Sequence, residues 1–309
     1  MMRRVASLAL VALFVLLLPL RTVFAQGGSN YSALGLGDLR TTVGGVYDAM
    51  GGTTIAIPTP YSINVTNPAL LGQATTTRIQ VGYRFNQHVV ESGDRSIRQN
   101  NGGIDGVLAM FSVDTAHGFG ISLGVLPYSK VNYYTQRQLT TELNGEAVTG
   151  ASEQLGKGGV SQLHLGSSVR LLPGLQFGLS MGALFGVLTY SDEVTVNGPF
   201  RQVTSSQSYD VRGLLFRGGL YWSPTSWLNL GAFASAGGNA SVYITREAIS
   251  FPDTIKQISE STTALPMSFG FGASSKFGRS IIGADVEIGN YEDVTVNVRD
   301  DAGYSRSLR

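Results

Sequence analysis

Few residues in this chain could carry chemistry. His164 sits in a run where Leu163, Leu165 and Ser167 alternate with His164, Gly166 and Ser168. A nucleophilic serine needs a base within hydrogen-bond reach and a third polar group to orient that base. His164 and Ser168 share a polar face but stand two positions of that face apart, so they read as lining rather than as a dyad. Asp285 and Glu287 also share a face, with Gly283. Paired carboxylates do acid–base work or hold Ca²⁺ with loop carbonyls. Pairing with Arg84, Arg170, Arg212 or Arg217 is the simpler fate, because buried charges pair. The Gly-Lys-Gly at 156–158 lacks the glycine spacing and the following Ser or Thr of a phosphate loop. The chain has no Cys, which excludes thiol catalysis and thiolate metal sites. Its three His (88, 117 and 164) are too far apart to suggest a metal. A net charge of +1 gives no electrostatic case for nucleic acid. The expectation is a protein that is not an enzyme, with no cofactor, no metal and no nucleic-acid partner.

What positions these residues is a long series of strands with period 2. Ile79, Val81, Tyr83 and Phe85 alternate with Gln80, Gly82, Arg84 and Asn86. Leu175 to Val187 alternates apolar residues with Gln176, Gly178, Ser180, Gly182 and Gly186. Leu214, Phe216, Leu220 and Trp222 oppose Gly213, Arg217, Gly219 and Tyr221. Met267 to Phe277 and Ile282 to Ile288 repeat the pattern. In a membrane barrel one face of such a strand meets lipid and the other a polar lumen. A soluble sandwich has the same period with its apolar face inward. Here the polar face carries Gly, Ser and Gln more than Lys and Glu, which favours the barrel. Aromatics near strand ends, among them Tyr83, Phe85, Tyr133, Tyr134, Tyr190, Tyr221, Trp222, Trp227, Tyr243 and Tyr291, suggest interfacial girdles.

The first residues set the compartment. Arg3 and Arg4 precede an apolar run from Val5 to Leu20, and Val23-Phe24-Ala25 offers a cleavage site before Gln26. Later apolar stretches are broken within a few residues, so a membrane location requires a closed barrel. Charged residues make up only 14%, below the roughly 25% of soluble domains. Short turns at Leu172-Pro173-Gly174 and Ser223 to Ser226 contrast with long polar stretches at 86–103, 136–159, 197–208 and 247–265, read here as extracellular loops.

Residues 26–76 break the alternation. They hold Gly35-Leu36-Gly37, Gly44 and Gly45, then Ala49-Met50-Gly51-Gly52 followed by Ile55-Ala56, and Asn67-Pro68-Ala69-Leu70 just before the first strand. Pro58, Pro60 and Pro68 argue against central strands. So placed, this segment resembles that of the FadL-like outer-membrane transporters of long-chain fatty acids and other hydrophobic compounds, including their Bacteroidota and Chlorobi relatives. Gly283 to Glu287 followed by Tyr291 resembles a late barrel strand of the same family.

The resemblance implies an all-β fold, an antiparallel up-and-down transmembrane barrel of fourteen strands. Residues 1–25 would be the signal, 26–76 a plugging hatch and 77–309 barrel strands. It implies gating by the hatch, with Asn67, Pro68 and Ala69 fixing its turn and Gly44, Gly45, Gly51 and Gly52 allowing close packing. Arg84, His164, Arg170, Asp285 and Glu287 would be polar lumen residues. Passive uptake is the expected activity and the bacterial outer membrane the expected location. Expected partners are outer-membrane lipid, a hydrophobic small-molecule ligand and the barrel-assembly machinery. The resemblance also implies an alternative: a scaffold or shuttle barrel of a protein-secretion system, or a structural outer-membrane protein without transport activity. Only about nine to eleven strands can be counted, against the even number normal for such barrels, and the chain stops at Arg309 without a terminal aromatic strand; further strands are expected to follow.

Overall fold

A computed structural model describes residues 30–33, 35–40, 44–92, 95–143, 146–196, 203–250, 253–278, 280–290 and 307–308. The expected signal (1–25) and Tyr291 lie outside the described residues. Among the described residues no helix is long and apolar enough to cross a membrane.

Alternating side chains with Thr, Val and aromatic content suit extended backbone, and strands dominate. A 3₁₀ turn (Asn30–Ala33), β1 (Asp38–Leu39), the short helix α1 (Gly45–Ala49) and a second 3₁₀ turn (Pro68–Gln73) come first. The wall follows: β2 (Arg78–Ser92), β3 (Arg95–Asp114), β4 (Phe119–Leu143), β5 (Glu146–Leu172), β6 (Leu175–Val196) and β7 (Val203–Trp222). Then come β8 (Leu228–Gly237), β9 (Asn239–Ser250), β10 (Asp253–Ala264), β11 (Met267–Phe277), β12 (Ser280–Asn290) and β13 (Ser307–Leu308). Neighbours pair antiparallel in a single curled sheet, in the order β13-β12-β11-β8-β7-β6-β5-β4-β3-β2.

The sheet is inside out relative to a soluble sandwich. Ile79, Val81, Leu179, Phe216 and Phe271 are 76, 69, 55, 52 and 63% exposed on its outer face. Ser122, His164, Ser168 and Gln176 are buried on its inner face. A hydrocarbon solvent makes that arrangement favourable. The aromatics divide between the faces. Tyr83, Phe85, Trp222, Trp227 and Tyr243 are exposed, whereas Tyr190 and Tyr221 are buried inward and belong to no girdle. Parity explains this, since Tyr221 and Trp222 are adjacent and must point to opposite faces.

The long polar stretches expected as loops are largely strand. Leu139 pairs with Gly150, Gln207 with Arg246, and Asp253 with Ser250. Outside lipid a ladder needs no apolar face, and the Thr and Gln of these stretches still favour extension. The 27 residues of β5 span roughly 90 Å at about 3.3 Å per residue, where about 9–11 cross a bilayer. The strand is therefore far longer than a bilayer crossing requires.

The wall is discontinuous in two places. β3 and β4 pair from Asp114–Phe119 to Val107–Val125 and no further. Beyond that point β3 continues against β2, and β4 against β5 after a register shift between Pro127 and Ser129. The freed edge of β4 takes β1, with Asp38 opposite Lys130 and Leu39 opposite Ser129. The second break lies between β8–β9 and β10–β11. Ala264 faces Asn239 above it and Ser268 faces Ser235 below it. Gly237, Gly238, Leu265 and Pro266 occupy the interruption, where Pro266 has no N–H to donate.

Candidate functional site: the hatch segment and the lumenal wall

Asn67 organises the segment at 44–76, for which the resemblance implies the role of a hatch. It is fully buried, and its amide nitrogen donates to the carbonyls of Ile55 (2.8 Å) and of Leu220 on β7 (2.9 Å). Its Oδ1 accepts from the Ala69 N–H at 3.1 Å and caps the 3₁₀ turn that Pro68 opens. Asn64 sits beneath it, its Oδ1 accepting from the N–H groups of Thr66 and Asn67. The triplet fits because the wall has glycines opposite it. A Cβ on Gly219 would overlap Asn67 Oδ1 and Pro68, and one on Gly178 would overlap the backbone of Pro68 and Ala69. Sequence reasoning missed these docking glycines, although their repeated place on the inner face was a signal for close backbone approach.

Further bonds tie the segment to distant strands. On one side Arg84 of β2 holds Asp48 of α1 (2.6 Å) and Asp105 of β3 (3.0 Å). On the other, Asp285 of β12 accepts from the N–H groups of Thr54 (2.6 Å) and Ile55 (2.8 Å). Between them Arg217 donates to the Val65 carbonyl at 2.8 Å, and Ser274 to that of Ala56 at 2.7 Å. Arg84 and Asp285 thus each bond this segment, and neither partners the other. Within the segment the Tyr47 hydroxyl accepts from the Asn64 amide at 3.0 Å, and burial pushes its phenol above the ordinary range.

The glycines serve different ends. Gly44 (φ 104°) has no room for a Cβ, which would meet Ser62 and Gln80. Gly51 and Gly52 adopt φ of 70° and 84°, conformations that favour glycine. Gly45 and Gly51 have open space where a Cβ would stand, so packing does not require glycine at either.

His164 is buried on the inner face, with Nε2 2.9 Å from Ser122 Oγ. Ser168 bonds the Gly118 carbonyl at 3.3 Å instead. Two of the candidate cations are not lumenal. Arg170 is exposed at the turn rim and donates to the Ala116 carbonyl (3.0 Å). Arg212 points outward, bonded to Asp210 and lying over the Tyr243 ring. Each sits where its strand's parity or end puts it, a position composition could not reveal. At that rim His117 Nδ1 lies 2.7 Å from Asp114 and holds its carboxyl below the usual range.

Glu287 lines a small lumenal cavity of about 50 Å³ with Arg40, Arg217 and Tyr128, beside the second wall break. On the lipid side of the same wall lies a shallow groove of about 780 Å³, floored by Gly218, Ala234 and Ala236 and rimmed by Phe119, Phe216, Met267 and Phe269. Above the hatch segment the lumenal face turns apolar: Val131, Val160, Leu184, Leu188, Val211 and Val242 form a buried cluster with Leu36.

A family profile described as BamG matches residues 1–307. The chain belongs to the BamG family. No curated protein matches it. Among solved structures, this BamG-family chain is similar to the monoaromatic hydrocarbon channel CymD, at 14% identity and TM-score 0.52, over 82% of this chain and 70% of that one. It is similar to a TodX monoaromatic hydrocarbon channel mutant lacking S2S3, at 17% identity and TM-score 0.53, over 81% and 70%. The Pseudomonas putida toluene transporter TodX aligns at 16% identity and TM-score 0.48, over 84% and 72%. The likenesses to CymD and to the TodX mutant establish the fold, that of a FadL-like β-barrel.

Proposed function

We propose that this BamG-family chain is an outer-membrane barrel through which hydrophobic small molecules pass passively. The observation that carries the reading is an apolar lumenal face above the hatch segment, adjoining a wall opening that two residues of β1 close. An aqueous pore needs polar lining. Apolar lining instead takes up ligand surface removed from water, at about 25 cal/mol per Å². The ligand then leaves sideways, at the free edge of β4 or past the Gly237–Pro266 break toward the lipid-side groove. Consumption inside the cell supplies the driving force. No catalytic role is assigned, since His164 meets a serine in a buried polar layer. The likeness to monoaromatic hydrocarbon channels favours monoaromatic hydrocarbons as cargo, and the resemblance read from sequence favours long-chain fatty acids.

A second reading rests on the level of the N-terminal segment, where polar bonds and the apolar contacts of Ile63, Val65 and Leu71 with Leu108, Met110 and Leu126 pack segment against wall. A packed lumen suits a scaffold, and the family name points to the barrel-assembly machinery. Uptake of labelled toluene and oleate by cells with and without the gene decides between them. Loss of uptake on deletion supports passage. Unchanged uptake of both, with co-purification of the assembly barrel and falling levels of other outer-membrane proteins, supports the scaffold and ends the first reading.

A further inference from the structure

The outer face of the wall is not evenly covered. Register aligns Ile121, Ser167, Leu179, Gly218, Ala234 and Phe269 in one row across six neighbouring strands. Ile121 and Phe269 close the row, and Ser167, Gly218 and Ala234 leave it low between them. Phe216 and Met267, one outward position above Gly218 and Phe269, raise the upper wall of the groove, and Phe119 stands below Ile121. Ala234 and Ala236 on its floor are exposed.

Gly218 is the informative residue. Its neighbour Gly219 is required by the fold, since a Cβ there would overlap Asn67 Oδ1. A Cβ on Gly218 would meet only Leu179 Cδ2, at the ordinary distance of 3.6 Å. Its φ is not among the positive ones either. Packing and backbone within the chain therefore leave this glycine unexplained. A bare position inside a strand weakens the strand and marks close approach by a ligand or another backbone.

The size of the groove selects between those two. It holds about 780 Å³, within the roughly 300–1,000 Å³ of sites for one small molecule. Sixteen residues line it, fewer than the roughly 20–30 that a protein presents to a stable partner. A facing barrel would also bring strands tilted by roughly 35–45°, which cross these steeply and cannot follow the row. Arg217 is the one charged residue among the sixteen, and its guanidinium turns inward to the Val65 carbonyl. The groove thus offers no charge to a headgroup.

We propose that this groove is a binding site for one acyl chain of a bilayer phospholipid, and that Gly218 is kept bare so that the chain can lie against the backbone of β7. The site rests on the reading of the chain as a membrane barrel and is independent of what the barrel carries. Among hydrocarbon tails there is no hydrophobic gain in exchanging one apolar contact for another, so the number of contacts decides. A chain on the open wall touches protein along one side. In the groove it touches the floor and both walls, where a gap would forfeit about a quarter to a half of each contact's attraction.

The full chain is reconstituted into nanodiscs of palmitoyl-oleoyl phosphatidylethanolamine, and lipid retained on the released protein is counted by native mass spectrometry. Wild type is expected to retain one phospholipid. Gly218→Leu/Ala234→Leu fills the floor and is expected to lower the retained fraction at least about fivefold. Gly218→Ala, for which the fold has room, is expected to lower it about twofold. Ala183→Leu adds bulk on the outer face outside the groove and is expected to change nothing, as is exchange of the ethanolamine headgroup for glycerol. Heat-modifiable mobility on gels checks that each variant is folded. Four results overturn the site while leaving a barrel in the disc and the membrane reading intact: no retained lipid on wild type, equal retention in the folded floor-filled variant, dependence on one headgroup, or a retained mass equal to a second copy of this chain. A wild-type chain that does not enter discs at all removes the membrane reading and the site with it.

Discussion

At the residue scale, Asn67 meets three demands that no other side chain meets at once: two donors for carbonyls on separate elements, and an acceptor for the turn it caps. Truncation strands buried acceptors at about 1–3 kcal/mol each. Asn67→Ala is therefore expected to destabilise hatch docking by on the order of 2–4 kcal/mol. Gly219→Val should act similarly from the other side, since its side chain would occupy the space of Asn67 and Pro68. Gly238→Ala, with open space where its Cβ would stand, is the control expected to change little. Limited proteolysis of the hatch segment in the folded protein reads all three. The importance of the triplet was legible in the sequence, but only by resemblance. Its partners were not, because a backbone carbonyl 153 positions away leaves no trace in residue type.

At the element scale, the hatch segment bridges β2 and β3 at one side of the wall and β12 at the other, through Arg84 and Asp285. The alternation placed both residues on the polar face of their strands. It could not predict that each serves the hatch segment rather than an opposing wall charge, because that choice depends on how far the segment crosses the lumen. The buried Tyr47 gives this docking a pH limit. Its phenol ionises at the ordinary pKa of 10.0 once the segment is released, and above that value while docked. Docking stability from the neutral phenol is whole below pH 10.0 and is lost as pH rises through the docked value. Protease sensitivity of the segment should therefore rise in alkali at about pH 11, and Tyr47→Phe should flatten that rise while lowering docking at neutral pH through the lost Asn64 bond. A wild-type segment as resistant at about pH 11 as at neutrality would contradict this account.

At the scale of the whole molecule, the greasy side of the sheet faces out. The fold class was legible because period 2 survives in the stretches whose outer face is apolar, and polarity at the inward positions distinguished a barrel from a sandwich. The long hairpins were not legible as strands, because outside hydrocarbon both faces turn polar and the alternation that marks a strand disappears. Phe216 and Leu179 lie on adjacent outer strands near the middle of the wall. Arg at either is expected to cost about 2–4 kcal/mol of folding in lipid, against near zero at positions by the interface. Refolding titrations in urea with lipid vesicles measure that difference.

The Gly238–Pro266 interruption carries one more consequence, a mechanical one. The pairing keeps the same alignment on both sides of it, so the tip of the β9–β10 hairpin and the wall below are joined by a stretch held only by long bonds, Leu265 N–H to the Gly238 carbonyl and Gly238 N–H to the Leu214 carbonyl, both 3.3 Å. Pulled upward by its tip in a force microscope, the molecule should rupture in two steps with a pause at that weak seam. Gly238→Val combined with Pro266→Thr, by restoring a continuous ribbon, should merge the two steps into a single taller peak.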